Sequence, residues 1–294
     1  MRDRLVELET GLRRVLAPNP SPMTLTGTNS YIVGTGDVAL IDPGPADPAH
    51  LRALLDALEP GERISHIFVT HAHLDHSPGA QPLSEATGAR IHAFGPPDAG
   101  RSAIMQELAA RGVAGGGEGV DRAFRPDIRL EDGETISHGD WSLRALHTPG
   151  HFCNHLCFLW NEAALTADHV MGWASTLISP PDGDLGDYFR SLDKLAREEA
   201  QIFYPGHGDP VFDTARRIAD LAAHRRDRSV QILQELARQP ATPHDLVTAI
   251  YTDTPPALRA AAARNVFAHL VEMTQEMQVR PSPALHPEAL FTRL

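Results

Sequence analysis

The 294-residue sequence has only two cysteines and a single lysine. Cys153 and Cys157 are too few for a disulfide scaffold, which fits a reducing compartment. With Lys194 alone, no phosphate loop ending in GK[ST] exists, and Schiff-base chemistry would have to use that one residue. There is no GxSxG serine elbow. Gly34-Thr35-Gly36 lacks the third glycine of a dinucleotide fingerprint and leads into another apolar run, and the glycines at 115–119 read as a flexible surface loop. No stretch reaches the ~18 consecutive apolar residues of a membrane span. The opening MRDRLVELETGLRRV spreads charge throughout, unlike a secretory signal. The expectation is a soluble cytoplasmic chain with no membrane partner.

At 42% hydrophobic and 22% charged residues the chain reads as an ordinary globular protein, long enough to bury a substantial core. The net charge of −12 argues against broad nucleic-acid binding, which needs a basic face. That charge is unevenly placed. Residues 1–212 hold 16 basic and 29 acidic side chains, and residues 213–294 hold 10 and 9. The shift coincides with a change of texture, so two domains are expected, 1–212 and 213–294.

In the first part, short apolar runs alternate with turn residues. Strands are expected at 29–33 and 38–41, joined by a tight turn, then at 64–70, 91–94, 134–137, 141–147, 155–160, 163–167 and 201–204. Helices are expected at 50–58, capped by Asp47-Pro48, at 82–88 and at 187–197. The second part reads as three helices. One, long or broken, carries Ile218, Leu221, Ile232, Leu233 and Leu236; the others span 245–251 and 257–277, with a short strand at Val279-Arg280. This is a sheet-based α/β domain followed by a small helical, winged-helix-like module.

The 16 histidines are the unusual feature. Thr70-His71-Ala72-His73-Leu74-Asp75-His76 follows directly on the expected buried strand 64–70. Three histidines and an aspartate are costly there unless something satisfies them, and imidazole with carboxylate is the donor set of zinc and similar ions. Positions 71 and 73 alternate and can aim one way while 75 and 76 point elsewhere, so one stretch could serve two ions. Three further strands end in a ligand-type residue: HTPGH ends in His151, the run from Ala163 ends in Asp168, and PGHG carries His207. Cys153, His155 and Cys157 alternate as if along a strand and read as packing. His66, His147 and His169 read as surface or supporting residues. Trp173 and Tyr188 either line a pocket or pack.

THAHLDH, HTPGH, Asp168, PGHG and the early IDPG (Ile41–Gly44) resemble, in the same order, the motifs of the metallo-β-lactamase superfamily, over residues from about 25 to 210. The resemblance implies an αββα sandwich with metals at one edge. By it His71, His73 and His151 would bind one metal, Asp75, His76 and His207 a second, and Asp168 would bridge them. Asp42 would support the site from behind. Within the superfamily, Asp168 disfavours true β-lactamases, which usually lack it. His73 disfavours the diiron oxygen reductases, which carry a carboxylate there. Retention of Asp75, His76 and His207 disfavours the mononuclear persulfide dioxygenases. Phe152 departs from the common HTPGHT and bears on local contacts only.

Residues 224–233 and 261–270 resemble the tail of the β-lactamase-like protein 2 subgroup, whose members add a winged-helix-like module. His224 and His269 resemble residues of that module and read as structural. The subgroup includes both single-strand endoribonucleases and polyketide thioesterases. Two divalent ions, zinc above all, ~3.5–4 Å apart can share a bridging hydroxide whose pKa falls toward ~7. A hydrolase is therefore expected, with Asp75 and Asp168 as catalytic residues. Its leading substrate is a small or carrier-bound ester or thioester. The alternative is single-stranded RNA guided by Arg216, Arg217, Arg225, Arg226 and Arg228, unless these arginines merely pack on the metal domain. A non-enzymatic nucleic-acid-binding module is the third reading, and no ligand has been lost to favour it.

Overall fold

The computed structural model describes residues 5–115 and 119–294, so most of the glycine run at 115–119 lies outside the described residues. In chain order the first half comprises β1 (Leu5–Glu9), β2 (Leu12–Leu16), β3 (Asn29–Val33), β4 (Asp37–Ile41), α1 (Pro48–Asp56), β5 (Arg63–Phe68), α2 (Ala80–Thr87), β6 (Arg90–Ala93), α3 (Ala103–Ala110) and β7 (Ile128–Arg129). The chain continues through β8 (Thr135–His138), β9 (Trp141–His147), β10 (Leu156–Trp160), β11 (Ala163–Ala167), α4 (Leu185–Ala196) and β12 (Ile202–Pro205). Next come α5 (Thr214–Leu236), α6 (Pro243–Ile250), a 3₁₀ turn (Pro256–Leu258), α7 (Arg259–Gln275), β13 (Val279–Ser282) and β14 (Leu290–Arg293).

Strands β1 to β7 lie side by side in sequence order, antiparallel up to β4 and parallel from β4 to β7. The second sheet has the order β12-β11-β10-β9-β8, with only the β11–β12 pair parallel. Period-two alternation sorts the side chains into layers. Along β4, Val38 and Leu40 face α1 and α2 with Leu54 and Leu83, while Ala39 and Ile41 face the second sheet. Ile64 and Ile67 of β5 share the outer layer despite odd spacing, because a register shift opposite Val38 and Ala39 resets the alternation. Between the sheets Phe68, Leu143, Phe158 and Leu165 pack together, each contributing roughly 1.5–3 kcal/mol by burial. The outer face of the second sheet, with Leu146, Cys157 and Phe203, is covered by Tyr188 and Leu192 of α4 and by Ile218 and Leu221 of α5. The fold is the expected α/β/β/α sandwich followed by a helical winged-helix domain.

Helix α5 belongs to two cores. Its first half packs on α4, and its second half, Ile232 and Leu236, joins Leu246, Val266, Leu270 and Phe291 of the tail. Met105 and Leu108 of α3 enter that tail core as well. Caps fix the helix starts: Asp47, the expected cap, accepts from His50 N–H at 2.8 Å, and Thr242 with Asp245 forms a reciprocal capping box that starts α6 at Pro243, ahead of the expected 245.

Several elements differ from expectation. Strand β1 is an exposed, charged edge, and in β2 the buried Leu12 and Val15 are separated by two arginines, so no apolar run marks the hairpin. Helix α3, strand β7 and the returning wing strand β14 are also additions. The alternation expected along a strand at Cys153, His155 and Cys157 is not there. His155 N–H bonds Phe152 O in a turn at 3.2 Å, and β10 starts at Leu156. All three side chains are nevertheless buried, as packing requires.

Candidate metal centre

The residues after β4, β5, β9, β11 and β12 gather at one edge of the sandwich. There the two sheets are stitched together by backbone bonds: Asn29 N–H donates to Gly206 O at 2.7 Å, and Leu156 N–H donates to Thr70 O at 2.8 Å. Tyr31 OH donates to Pro205 O at 2.6 Å. A metal cage needs such a rigid frame, because ligand positions must hold to fractions of an ångström.

Two donor groups form on this frame, His71 with His73 and His151, and Asp75 with His76, Asp168 and His207. The tautomers of the first group follow from what lies behind it. Thr70 Oγ1 donates to Asp42 Oδ2 at 2.7 Å, so it can only accept from His71 Nδ1–H, 3.0 Å away. His151 Nδ1–H donates to Leu177 O at 2.8 Å. Both rings therefore carry their proton on the rear nitrogen, and their bare Nε2 atoms converge on His73 Nδ1 at 3.0 and 3.1 Å. Burial, reinforced by the neighbouring imidazoles, holds His71 well below its ordinary range and His73 down to about 3. Burial also lowers His151. Neutral imidazoles with lone pairs aimed at one point are what a divalent ion requires.

The second group is built alike, with carboxylates added. His76 Nδ1–H donates to Asp42 Oδ2 at 2.8 Å, and His207 Nδ1–H donates to Gly27 O at 3.1 Å. His76 Nε2 then lies 3.3 Å from Asp75 Oδ2 and from Asp168 Oδ1. His207 Nε2 lies 3.2 Å from Asp75 Oδ2 and 3.3 Å from Asp168 Oδ2. Tetrahedral coordination at about 2.0–2.1 Å places ligand atoms about 3.3 Å apart, so these separations fit an ion. Asp75 Oδ1, Asp168 Oδ1 and both Nε2 atoms are buried without a hydrogen-bond partner. Burial alone would depress His207, but Asp168 and Asp75 push it up to about 10 and likewise raise His76. Burial alone would raise both carboxyls, yet the facing imidazoles hold them low. The pocket calls for positive charge, and one dication supplies as much of it as the two protons while also engaging the unpartnered Asp75 Oδ1, Asp168 Oδ1 and Nε2 atoms.

Asp168 also approaches the first group, with Oδ2 3.7 Å from His151 Nε2. Two backbone features put it there. Ala167 adopts a left-handed φ of 42°, turning the chain inward after β11. Gly206 leaves the room, since a Cβ at 206 would sit 2.4 Å from Asp168 Oδ1. His147, His155, His169 and His66 stand outside both groups. His147 stacks on Phe94 at 3.7 Å, and His155 bonds Thr148.

A cavity of about 250 Å³ opens onto His73, His151 and Asp168. One wall is the segment Met171–Leu177, including Trp173; another is Tyr251, Leu258, Ala261 and Ala262 of the tail. Tyr188 is not part of it and packs against His169 instead. The tail grips the first wall through α5. Arg217 donates to Met171 O at 2.7 Å and to Ala174 O at 2.6 Å. Arg225, 2% exposed, donates to Thr176 O and to Asn265 Oδ1, and Asn265 Oδ1 also accepts from Ile178 N–H. Thr176 Oγ1 in turn touches His151 Nδ1 at 2.7 Å.

Residues 23–207 match the model of the metallo-beta-lactamase superfamily, and residues 242–284 match that of the beta-lactamase associated winged helix domain. The chain belongs to the metallo-β-lactamase superfamily. It is a metal-dependent hydrolase of that superfamily, with a winged-helix tail. Over 97% of its length it is 31% identical to a beta-lactamase-like protein 2 homolog of Drosophila melanogaster, covering 94% of that protein. It is 34% identical to an atrochrysone carboxyl ACP thioesterase of Paecilomyces divaricatus, over 76% of this chain and 64% of that one. Among solved structures, a metallo-beta-lactamase family protein of Thermus thermophilus superposes with a TM-score of 0.78 at 26% identity, over 98% of this chain and all of that one.

All seven residues expected as ligands fall in the two groups. Sequence reasoning did not single out Thr70, Gly27, Thr176 or Leu177, which orient them. Thr70 adjoins the motif, but backbone acceptors such as Gly27 O leave no mark in a sequence. Among the described residues no helix is long and apolar enough to cross a membrane.

Proposed function

We propose that this superfamily member is a dinuclear hydrolase of acyl esters or thioesters. The observation that carries the reading is a pair of adjoining donor groups, approached together by Asp168, at the end of an apolar cavity that no cation lines among the described residues. His71, His73 and His151 would hold one ion, Asp75, His76 and His207 the other, and Asp168 both; zinc suits these N and O donors. Two such ions supply Lewis-acid polarisation of the scissile carbonyl and a hydroxide-forming water near neutral pH. Asp75, with Oδ1 free of partners, takes the proton of the attacking water and returns it to the leaving oxygen or sulfur. Water is consumed, the acyl–O or acyl–S bond breaks, and a carboxylic acid and an alcohol or thiol leave.

The thioesterase among the relatives supports a carrier-bound acyl substrate. RNA is the weaker alternative. Arg217 and Arg225 face backbone carbonyls, and Arg228 lies 3.9 Å over the Tyr251 ring, so three of the five tail arginines offer phosphates little. We divide the chain into a catalytic unit, 1–212, and a winged-helix unit, 213–294. Both cysteines are free and buried, which fits a cytoplasmic location.

Side-by-side assays decide the reaction. Metal-loaded protein should turn over aryl esters and acyl thioesters faster than single-stranded RNA, and Asp168→Ala should abolish that turnover. Metal-dependent RNA cleavage lost in Asp168→Ala, without acyl turnover, would reverse the reading.

A further inference from the structure

The cavity that ends at His73, His151 and Asp168 takes part of its lining from the tail: Leu258, Ala261 and Ala262 at the start of α7. Met23 and Met171 line it too, and their unbranched thioethers adapt to different apolar shapes. Two polar groups that share the lining are already engaged. Thr176 Oγ1 bonds His151, and Asn265 Oδ1 accepts from Ile178 N–H at 3.0 Å and from Arg225 at 3.1 Å. At Leu258, Ala261 and Ala262 the tail side therefore presents hydrocarbon to whatever enters, with Thr254 and Tyr251 beside them. Its volume, about 250 Å³, is below the roughly 300–1,000 Å³ of sites for drug-sized ligands. That suits a straight chain better than a polycycle.

We propose that Leu258 and Ala261 select the acyl group by its length, with the hydrocarbon lying against α7 while its carbonyl lies at the metal centre. The inference rests on the acyl-hydrolase reading and adds what the winged-helix tail does in it. Leu258 and Ala261 are only partly buried, so they can be exchanged with little disturbance. Ala262 is built into the tail core and is left alone. Burying one methylene raises affinity about fourfold. Each carbon that the wall admits or excludes should therefore be visible in the length profile.

The test uses the full metal-loaded chain and straight-chain acyl thioesters from acetyl to dodecanoyl. The parent's kcat/KM should climb with length and then fall. Ala261→Leu should move the optimum to shorter chains and Leu258→Ala to longer ones, each change in kcat/KM growing with the number of acyl carbons. Quenching of the cavity-lining Trp173 by straight-chain alkanoates should follow the same order without any turnover. If both variants melt like the parent and neither shifts the length profile or the alkanoate affinities, the proposal is overturned; if one fails to fold, the other decides. If alkanoates bind in this order but no acyl substrate turns over, the acyl-hydrolase reading fails while the length-selecting wall stands.

Discussion

Asp42 is the most informative single residue to change, because one carboxylate supports both donor groups without belonging to either. It is 2% exposed and holds a left-handed φ of 49° at the end of β4. Its Oδ1 accepts from Thr70 N–H at 2.8 Å, and its Oδ2 accepts from Thr70 Oγ1 at 2.7 Å and from His76 Nδ1–H at 2.8 Å. Asp42→Asn keeps the volume but replaces one acceptor by two donors. If the amide oxygen stays on Thr70 N–H, the NH₂ faces His76 Nδ1, which must become an acceptor. The imidazole proton then moves to Nε2, and that nitrogen cannot bind an ion. If the amide turns round, its NH₂ opposes Thr70 N–H and leaves buried donors unpaired, at about 1–3 kcal/mol.

The first arrangement is the less costly, so the effect should fall on metal binding. Loss of an orienting partner of this kind lowers metal affinity about 10–100-fold, or roughly 1.4–2.7 kcal/mol. The second group should feel it most, since His76 faces the new NH₂ directly, whereas His71 is reached only through Thr70 Oγ1, which loses its acceptor on Asp42 but can still accept from His71 Nδ1–H. The assay is zinc titration of metal-free protein in competition with a chromogenic chelator, which resolves two steps. The expected outcome is one step weakened by that factor and the other weakened distinctly less. Two unchanged steps would refute the tautomer argument, and two equally weakened steps would show that the groups are not independent.

Other outcomes follow from the same geometry. Gly206→Ala places a methyl against Asp168 Oδ1 and 2.8 Å from His76 Cε1; elemental analysis should find fewer than two ions per chain, and turnover should fall about 10–100-fold. Arg225→Met removes the cation that holds Thr176 O and Asn265. A denaturant melt should show a loss of about 1.5–3 kcal/mol, with KM raised more than kcat is lowered. Burial pushes His92 down to about 4 within its contacts to His66 and Phe68. An unfolded histidine takes its proton near 6.5, so His92 costs stability as pH falls from about 6.5 toward 4 and nothing above that window. Melts of His92→Phe between pH 4 and 8 should accordingly show a flatter acid limb than the parent.

The donor residues were legible because their chemistry is expensive anywhere else. THAHLDH sits beside a core strand, and three histidines with an aspartate could not be buried there without a purpose. The strands carrying Asp168 and His207 showed the same grammar of an apolar run followed by a ligand. Elements without such contrast were not legible. Charged residues occur all along the β1–β2 edge, while α3 is an ordinary apolar helix whose tail partners are more than 120 residues away in the chain. The turn that moved Cys153 off its expected strand depends on His155 N–H finding Phe152 O, a backbone contact that no side-chain pattern announces.

The tail arginines show why composition alone could not assign them. From charge, the cluster at 216–228 fitted either a phosphate-binding stripe or a packing face, and the two differ only in what surrounds the guanidinium groups. Arg225 is fully enclosed, and burial lowers its pKa. Such a group is kept only where acceptors hold it, here Thr176 O and Asn265 Oδ1. Arg217 takes two more carbonyls from the same segment. Helix α5 thereby fixes residues 171–178, and that segment fixes His151 through Thr176 Oγ1 and Leu177 O. The arginine richness of the tail in the sequence thus reaches the candidate metal centre through two successive hydrogen bonds, Arg225 to Thr176 O and Thr176 Oγ1 to His151 Nδ1. It acts by holding backbone in place, and a mobile phosphate partner would have to displace those bonds before it could be bound.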